Sequence, residues 1–119
     1  MIENLNGIHE TVKYKENSNV KLFINAEAED YPIHWHTPME IIMPLEGGYT
    51  VQIGDDLVHL NESDIIFIAS GVKHRLIAPD TGKRLILQIE WYCYLKNKGI
   101  KFHTYPYSTC YNANPGNFR

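Results

Sequence analysis

Short strand-like runs dominate the first 94 residues, some continuously apolar and some alternating apolar and polar positions with a period of two, the spacing of half-buried strands. Tyr49-Thr50-Val51-Gln52-Ile53 shows it most clearly and, apart from Gln52, consists of β-branched and aromatic side chains. Val20–Ile24, Glu40–Leu45, Leu57–Leu60, Ile65–Ala69, His74–Ala78 and Lys83–Tyr92 read as further strands. Turn signals separate them: Asn17-Ser18-Asn19, Gly47-Gly48, Gly54-Asp55-Asp56, Asn61-Glu62-Ser63-Asp64, Ser70-Gly71 and Pro79-Asp80-Thr81-Gly82. They recur about every eight to twelve residues, the rhythm of a β-sandwich or small barrel. No segment keeps a helical period over about ten residues. The pattern predicts an all-β antiparallel barrel or sandwich of about eight to ten strands, with helix nearly absent. Past Tyr94 the alternation weakens. A barrel over 1–94 and a C-terminal extension over 95–119 are therefore expected. The extension would hold a short strand at Ile100–Tyr105 and a surface tail whose Tyr105, Tyr107 and Tyr111 pack on the barrel's outside.

At 119 residues the chain suffices for one domain and one core. Its 11 Lys and Arg against 14 Asp and Glu leave a net charge of −3. The basic residues do not gather, Lys96, Lys98 and Lys101 being the densest group, which argues against a nucleic-acid surface within these residues. Apolar content of 44% and charged content of 21% exclude wholesale disorder. The N-terminus has no apolar signal region, and the longest apolar runs, such as Ile65–Ala69, reach about five residues against the ~20 of a membrane helix. A cytoplasmic protein without membrane contact is expected. Cys93 and Cys110 lack metal-ligand spacing and read as reduced structural thiols.

Candidate chemistry gathers at His34-Trp35-His36-Thr37-Pro38-Met39-Glu40. In a strand, residues i and i+2 share a face, so His34 and His36 project together and Trp35 projects opposite. Pro38 bends or ends that strand, and Glu40 re-enters the same cavity from the next one. Gly71-Val72-Lys73-His74 places another histidine just after a turn. A pairing of His74 opposite His36 would complete a set of three imidazoles and one carboxylate, donors suited to a divalent ion. In a chain with 6 histidines, His-x-His is expected by chance about 0.3 times; with Glu40 and Gly47 at their offsets, about 0.002 times.

Residues 34–47 fit the first cupin motif, H-x-H-x(3)-E-x(6)-G, without a gap. Residues 63–74 resemble the second motif through Asp64, Gly71 and His74. Ser63 stands where the family has Gly, Ala69 where it has Pro and Ala78 where it has Asn. The resemblance spans roughly residues 15–92. It implies a cupin-type β-barrel, a double-stranded β-helix or jelly roll, with His34, His36, Glu40 and His74 at its mouth. Ile33–His36, Met39–Ile42, Leu45–Gly47, Asp64–Ile68 and Leu85–Ile89 are worded most like the N-terminal sensor domain of AraC-type bacterial transcription regulators. In that family the barrel binds a small effector, often a sugar or related metabolite, and a C-terminal pair of helix-turn-helix motifs binds DNA. Nothing in the chain resembles that second half, and the family's dimerisation helices are not evident over 95–119. The resemblance implies the sensor part alone, pairing as a homodimer and making no direct nucleic-acid contact.

Two readings follow. The first is a ligand-sensing module, since no Ser/His/Asp set, reactive cysteine or phosphate loop can be assembled. The second is a small metal-dependent cupin enzyme, a dioxygenase or isomerase, holding Zn, Ni, Mn or Fe on His34, His36, Glu40 and His74. In the first, the same four residues bind the effector, with or without a metal. Gln88 joins them if the polar face of its strand, Gln88 and Glu90, points inward; outward, that face is solvated. Ile42, Val51 and Phe67 are the expected apolar walls. Trp35 and Trp91 are expected to pack on the barrel. Arg75 and Arg84 are expected at the rim or surface, and His9, His59 and His103 as isolated surface residues. Gly47, Gly48 and Gly71 serve tight turns.

Overall fold

The described residues form ten antiparallel strands, seven of them at the segments predicted above. They are β1 (Leu5–Asn6), β2 (His9–Glu10), β3 (Val20–Asn25), β4 (Tyr31–His34), β5 (Met39–Glu46), β6 (Tyr49–Ile53), β7 (Asp56–Leu60), β8 (Ile66–Ile68), β9 (His74–Ile77) and β10 (Lys83–Ile89). The computed structural model describes residues 4–16, 18–90 and 98–99. The expected strand at Ile100–Tyr105, the tail tyrosines, Trp91, His103 and both cysteines lie outside the described residues. Among the described residues there is no helix, and none is long and apolar enough to cross a membrane.

Two four-stranded sheets face each other, β3-β10-β5-β8 and β4-β9-β6-β7, and the short β1-β2 hairpin lies beside them. The inward residues Ile42, Tyr49, Val51, Leu60, Ile68, Leu76 and Ile86 form the core between the sheets. Strand β5 shows the alternation at work: Glu40, Ile42 and Pro44 are buried, while Ile41, Met43 and Leu45 face outward. Pro44 is tolerated mid-strand because β8 pairs only with Glu40, Ile41 and Ile42. Its carbonyl accepts the Ser63 N–H at 2.9 Å instead.

The strand β10 reverses the usual pattern. Its buried positions are Arg84, Ile86 and Gln88, and its apolar Leu85, Leu87 and Ile89 look outward. Arg84, expected at the rim or surface, is 1% exposed. Its guanidinium donates to Asn25 Oδ1 at 2.6 Å and to the Glu27 carbonyl at 3.0 Å, and it stacks 4.1 Å above the Tyr49 ring. Those contacts replace the water it loses. Outside, Leu85, Leu87 and Ile89 pair in register with Ile24, Leu22 and Val20 on one side and with Met43, Ile41 and Met39 on the other. The outer face of this sheet is apolar across three strands.

Three further expectations change. Phe67 is exposed and is no pocket wall: Glu40 pairs with Ile68 and Ile42 with Ile66, so Ile68 and Ile66 take the inward register. His74 pairs with His34, not His36, because β4 runs from Tyr31 only to His34. His9 is no isolated surface residue; its ring lies 4.2 Å from that of Trp35, and the two residues form a parallel bridge. The hairpin β1-β2 and strand β4 were not signalled by alternation, being short and carrying Pro32.

Two glycine-type positions give stability predictions. Ser63 holds a left-handed φ of 71°, unfavourable for a residue with a Cβ. Ser63→Gly should stabilise the protein by about 0.5–1 kcal/mol in urea unfolding. Gly82 has φ 111°, and a Cβ there would run into the Glu46 carbonyl oxygen. Gly82→Ala should cost more than about 2 kcal/mol by the same measurement, since backbone must move.

Candidate metal and ligand site

The site forms where the strand ending at His34 bends into β5. His34 and His36, two residues apart, enter one cavity, and both are buried. The bend between them and Glu40 is gripped by the β8–β9 turn. The Gly71 N–H donates to the His36 carbonyl at 2.9 Å, and the Ser70 hydroxyl donates to the Thr37 carbonyl. That turn carries His74 in. The ring centroids of His34 and His74 are 4.3 Å apart, those of His36 and His74 5.0 Å, and those of His34 and His36 5.6 Å.

Each imidazole is held by its Nδ1. His34 Nδ1 lies 2.7 Å from the Pro32 carbonyl oxygen, His36 Nδ1 2.9 Å from that of Pro38, and His74 Nδ1 2.8 Å from that of Val72. A carbonyl only accepts, so Nδ1 carries the proton and donates it. The neutral ring then presents a bare Nε2 lone pair to the cavity. This is the arrangement by which imidazole is oriented as a ligand. The three histidines offer ligand atoms that all lie within 4.8 Å of one another.

Glu40 reaches the same point. Its Oε1 accepts from Gln88 Nε2 at 2.8 Å, a bond set by the in-register pairing of the two residues. The inward reading of Gln88 and Glu90 is therefore the observed one, and Glu90 Oε2 accepts from the Thr37 hydroxyl at 2.9 Å. Glu40 Oε1 is 3.6 Å from His36 Nε2, and Oε2 is 3.4 Å from His74 Nε2. His36 Nε2, His74 Nε2 and Glu40 Oε2 are buried without a hydrogen-bond partner. Such orphaned atoms are expensive unless something binds them. Three bare imidazole nitrogens and a carboxylate fit a divalent cation, which would satisfy all of these atoms at once.

Electrostatics hold His34 and Glu40 in ligating form and act the other way on His36. Burial, reinforced by His74, lowers the pKa of His34 to about 3, so this ring is neutral at physiological pH. Burial would push the Glu40 carboxyl up, but His36 and His74 outweigh it and hold it well below the usual range. For His36, burial is likewise overcome by Glu40, and its pKa is raised.

A cavity of about 240 Å³ opens beside the site, lined by His34, Glu40 and Gln88 together with Glu10, Lys21, Asn25 and Tyr31. Those last four escaped sequence reasoning; no spacing rule connects them to the histidine run, since they come from the N-terminal hairpin, β3 and the start of β4. Ile42 and Val51 are fully buried core residues. A larger, open groove of about 580 Å³ beside Gly48, Tyr49, His59 and Ile77 lies apart from the three histidines.

A curated relative, the uncharacterized HTH-type transcriptional regulator YdeC of Bacillus subtilis strain 168, is 34% identical over 55 residues. That match takes in 45% of this chain and only 19% of the relative's length. Among solved structures, a cupin-2 domain containing protein from Shewanella frigidimarina aligns with a TM-score of 0.56 at 19% identity, over 60% of this chain and 71% of its own. The EutQ protein of Clostridium difficile aligns with a TM-score of 0.52 at 17% identity, over 59% and 56%. At such identities the likeness speaks for the fold alone. The model of the cupin domain matches residues 22–90, the span from β3 through β10 that carries the three histidines and Glu40, and on that match the chain belongs to the cupin family.

Proposed function

We propose that this barrel is the effector-sensing module of an AraC-type helix-turn-helix regulator, taking a small polar metabolite beside a divalent cation held by His34, His36, Glu40 and His74. The observation that carries the reading is the set of three Nδ1-anchored imidazoles whose ligand atoms lie within 4.8 Å of one another, with the Glu40 carboxylate 3.4–3.6 Å from His74 and His36. The cation, when bound, supplies open coordination positions for an oxygen-bearing ligand. The chain's own residues do the rest. Gln88 fixes the Glu40 carboxylate, and Lys21, Asn25 and Tyr31 offer polar contacts at the cavity wall. A cavity of about 240 Å³ suits a compact metabolite better than a polymer. The regulator assignment is supported by the wording of residues 33–89 and by the partial match to YdeC. The apolar outer face of the β3-β10-β5 sheet supports self-association, as expected of a homodimeric sensor.

Elemental analysis of the purified protein should find one divalent ion per chain, and His36→Ala should lose it. Undiminished metal in that variant rejects ligation. In a thermal-shift screen of sugars and small acids, a ligand at 100 times its Kd should stabilise the barrel by ~2.7 kcal/mol. In a fusion of the barrel to a helix-turn-helix region, that ligand should change DNA affinity by roughly 5–150-fold. Equal affinity with and without the ligand rejects sensing, and consumption of the ligand by the barrel assigns it to a metal-dependent enzyme instead.

A further inference from the structure

We infer that Glu10, from the N-terminal hairpin and outside the His-x-His-x(3)-Glu run, is a further donor to the cation site. This rests on the metal-binding reading above. The hairpin brings Glu10 in by backbone bonds: the Glu10 N–H donates to the Trp35 carbonyl at 2.9 Å, and the Trp35 N–H to the Ile8 carbonyl at 2.8 Å. His9, facing the opposite way, stacks on Trp35 and secures the register. Glu10 is thereby held alongside the strand end that carries His34. Its Oε1 lies 3.7 Å from His34 Nε2, and its side chain is 15% exposed.

The chemistry of that contact points to a cation. His34 Nδ1 donates to the Pro32 carbonyl, so Nε2 of the neutral ring is an acceptor, and so is a carboxylate oxygen. Two acceptors facing each other in a largely buried site repel unless positive charge lies between them. A charge-assisted hydrogen bond would draw them to about 2.7–2.9 Å. Donor atoms that share one ion at about 2.1 Å sit farther apart, roughly 3.0 Å at a right angle and 3.4 Å at a tetrahedral one. The three facing pairs here, Glu40 with His74 at 3.4 Å, Glu40 with His36 at 3.6 Å and Glu10 with His34 at 3.7 Å, are close to that spacing and to one another. Glu10 stands toward His34 as Glu40 stands toward the other two. With each imidazole deprotonated at Nε2, the form it takes as a ligand, the two carboxylates leave a formal charge of −2, which a divalent ion neutralises.

The test is the isosteric Glu10→Gln in the full chain, read by Co(II) and Zn(II) affinity in chelator competition and by the visible spectrum of the Co(II) form. Affinity should fall by about 10–100-fold with one ion per chain retained, and the Co(II) spectrum should change. Glu16→Gln, an equal charge change on the exposed end of the same arm, should leave both readouts unchanged. Unchanged affinity and spectrum in Glu10→Gln overturn the assignment of Glu10 while wild-type binding keeps the metal reading intact. An equal loss in Glu16→Gln makes the effect one of overall charge and also overturns it. A wild-type chain that binds neither ion removes the metal reading itself.

Discussion

The donation of each imidazole Nδ1 to a carbonyl two residues away is the interaction on which the site depends. It costs the sequence little, because each carbonyl belongs to the same segment as its ring. It settles the tautomer, fixes the ring plane and leaves the Nε2 lone pairs inside. Without it, buried histidines beside a glutamate could satisfy one another with ordinary hydrogen bonds. With it, acceptors face acceptors across 3.4–3.7 Å. The cavity is then built to be completed by positive charge.

The scaffold supports this by reversing the amphipathicity of one strand. Burying Arg84 and Gln88 is unfavourable unless each finds partners. Both do: Gln88 holds Glu40, and Arg84 holds Asn25 and the Glu27 carbonyl over the Tyr49 ring. Asn25 in turn donates to the Tyr31 hydroxyl at 3.0 Å, on the wall of the cavity beside His34 and Glu40. One polar column thus runs from the core toward the mouth, and the aliphatic side chains that an ordinary strand would bury are displaced to the outer face. The same displacement that equips the interior with polar groups leaves an apolar exterior.

The strand period, the turn residues and the His34-x-His36-x(3)-Glu40 run were enough to predict an all-β barrel and to name its central histidines, because these features are local. Alternation places His34 and His36 on one face whatever they pack against. Left-handed turn positions favour glycine, and the Ser63 departure from the motif's glycine shows as a positive φ. Tertiary structure alone decided the rest. Register moved His74 opposite His34 and turned Phe67 outward, since a one-residue slip exchanges the faces of a strand. It chose the inward face of β10 against the hydrophobic pattern, because the partners of Arg84 and Gln88 come from β3, β5 and the loop after β3, far away in sequence. It also brought in Glu10 from a two-residue strand too short to have a period. Sequence carries what neighbouring residues impose on one another, whereas the last donors of a buried site are set by which distant backbones pair.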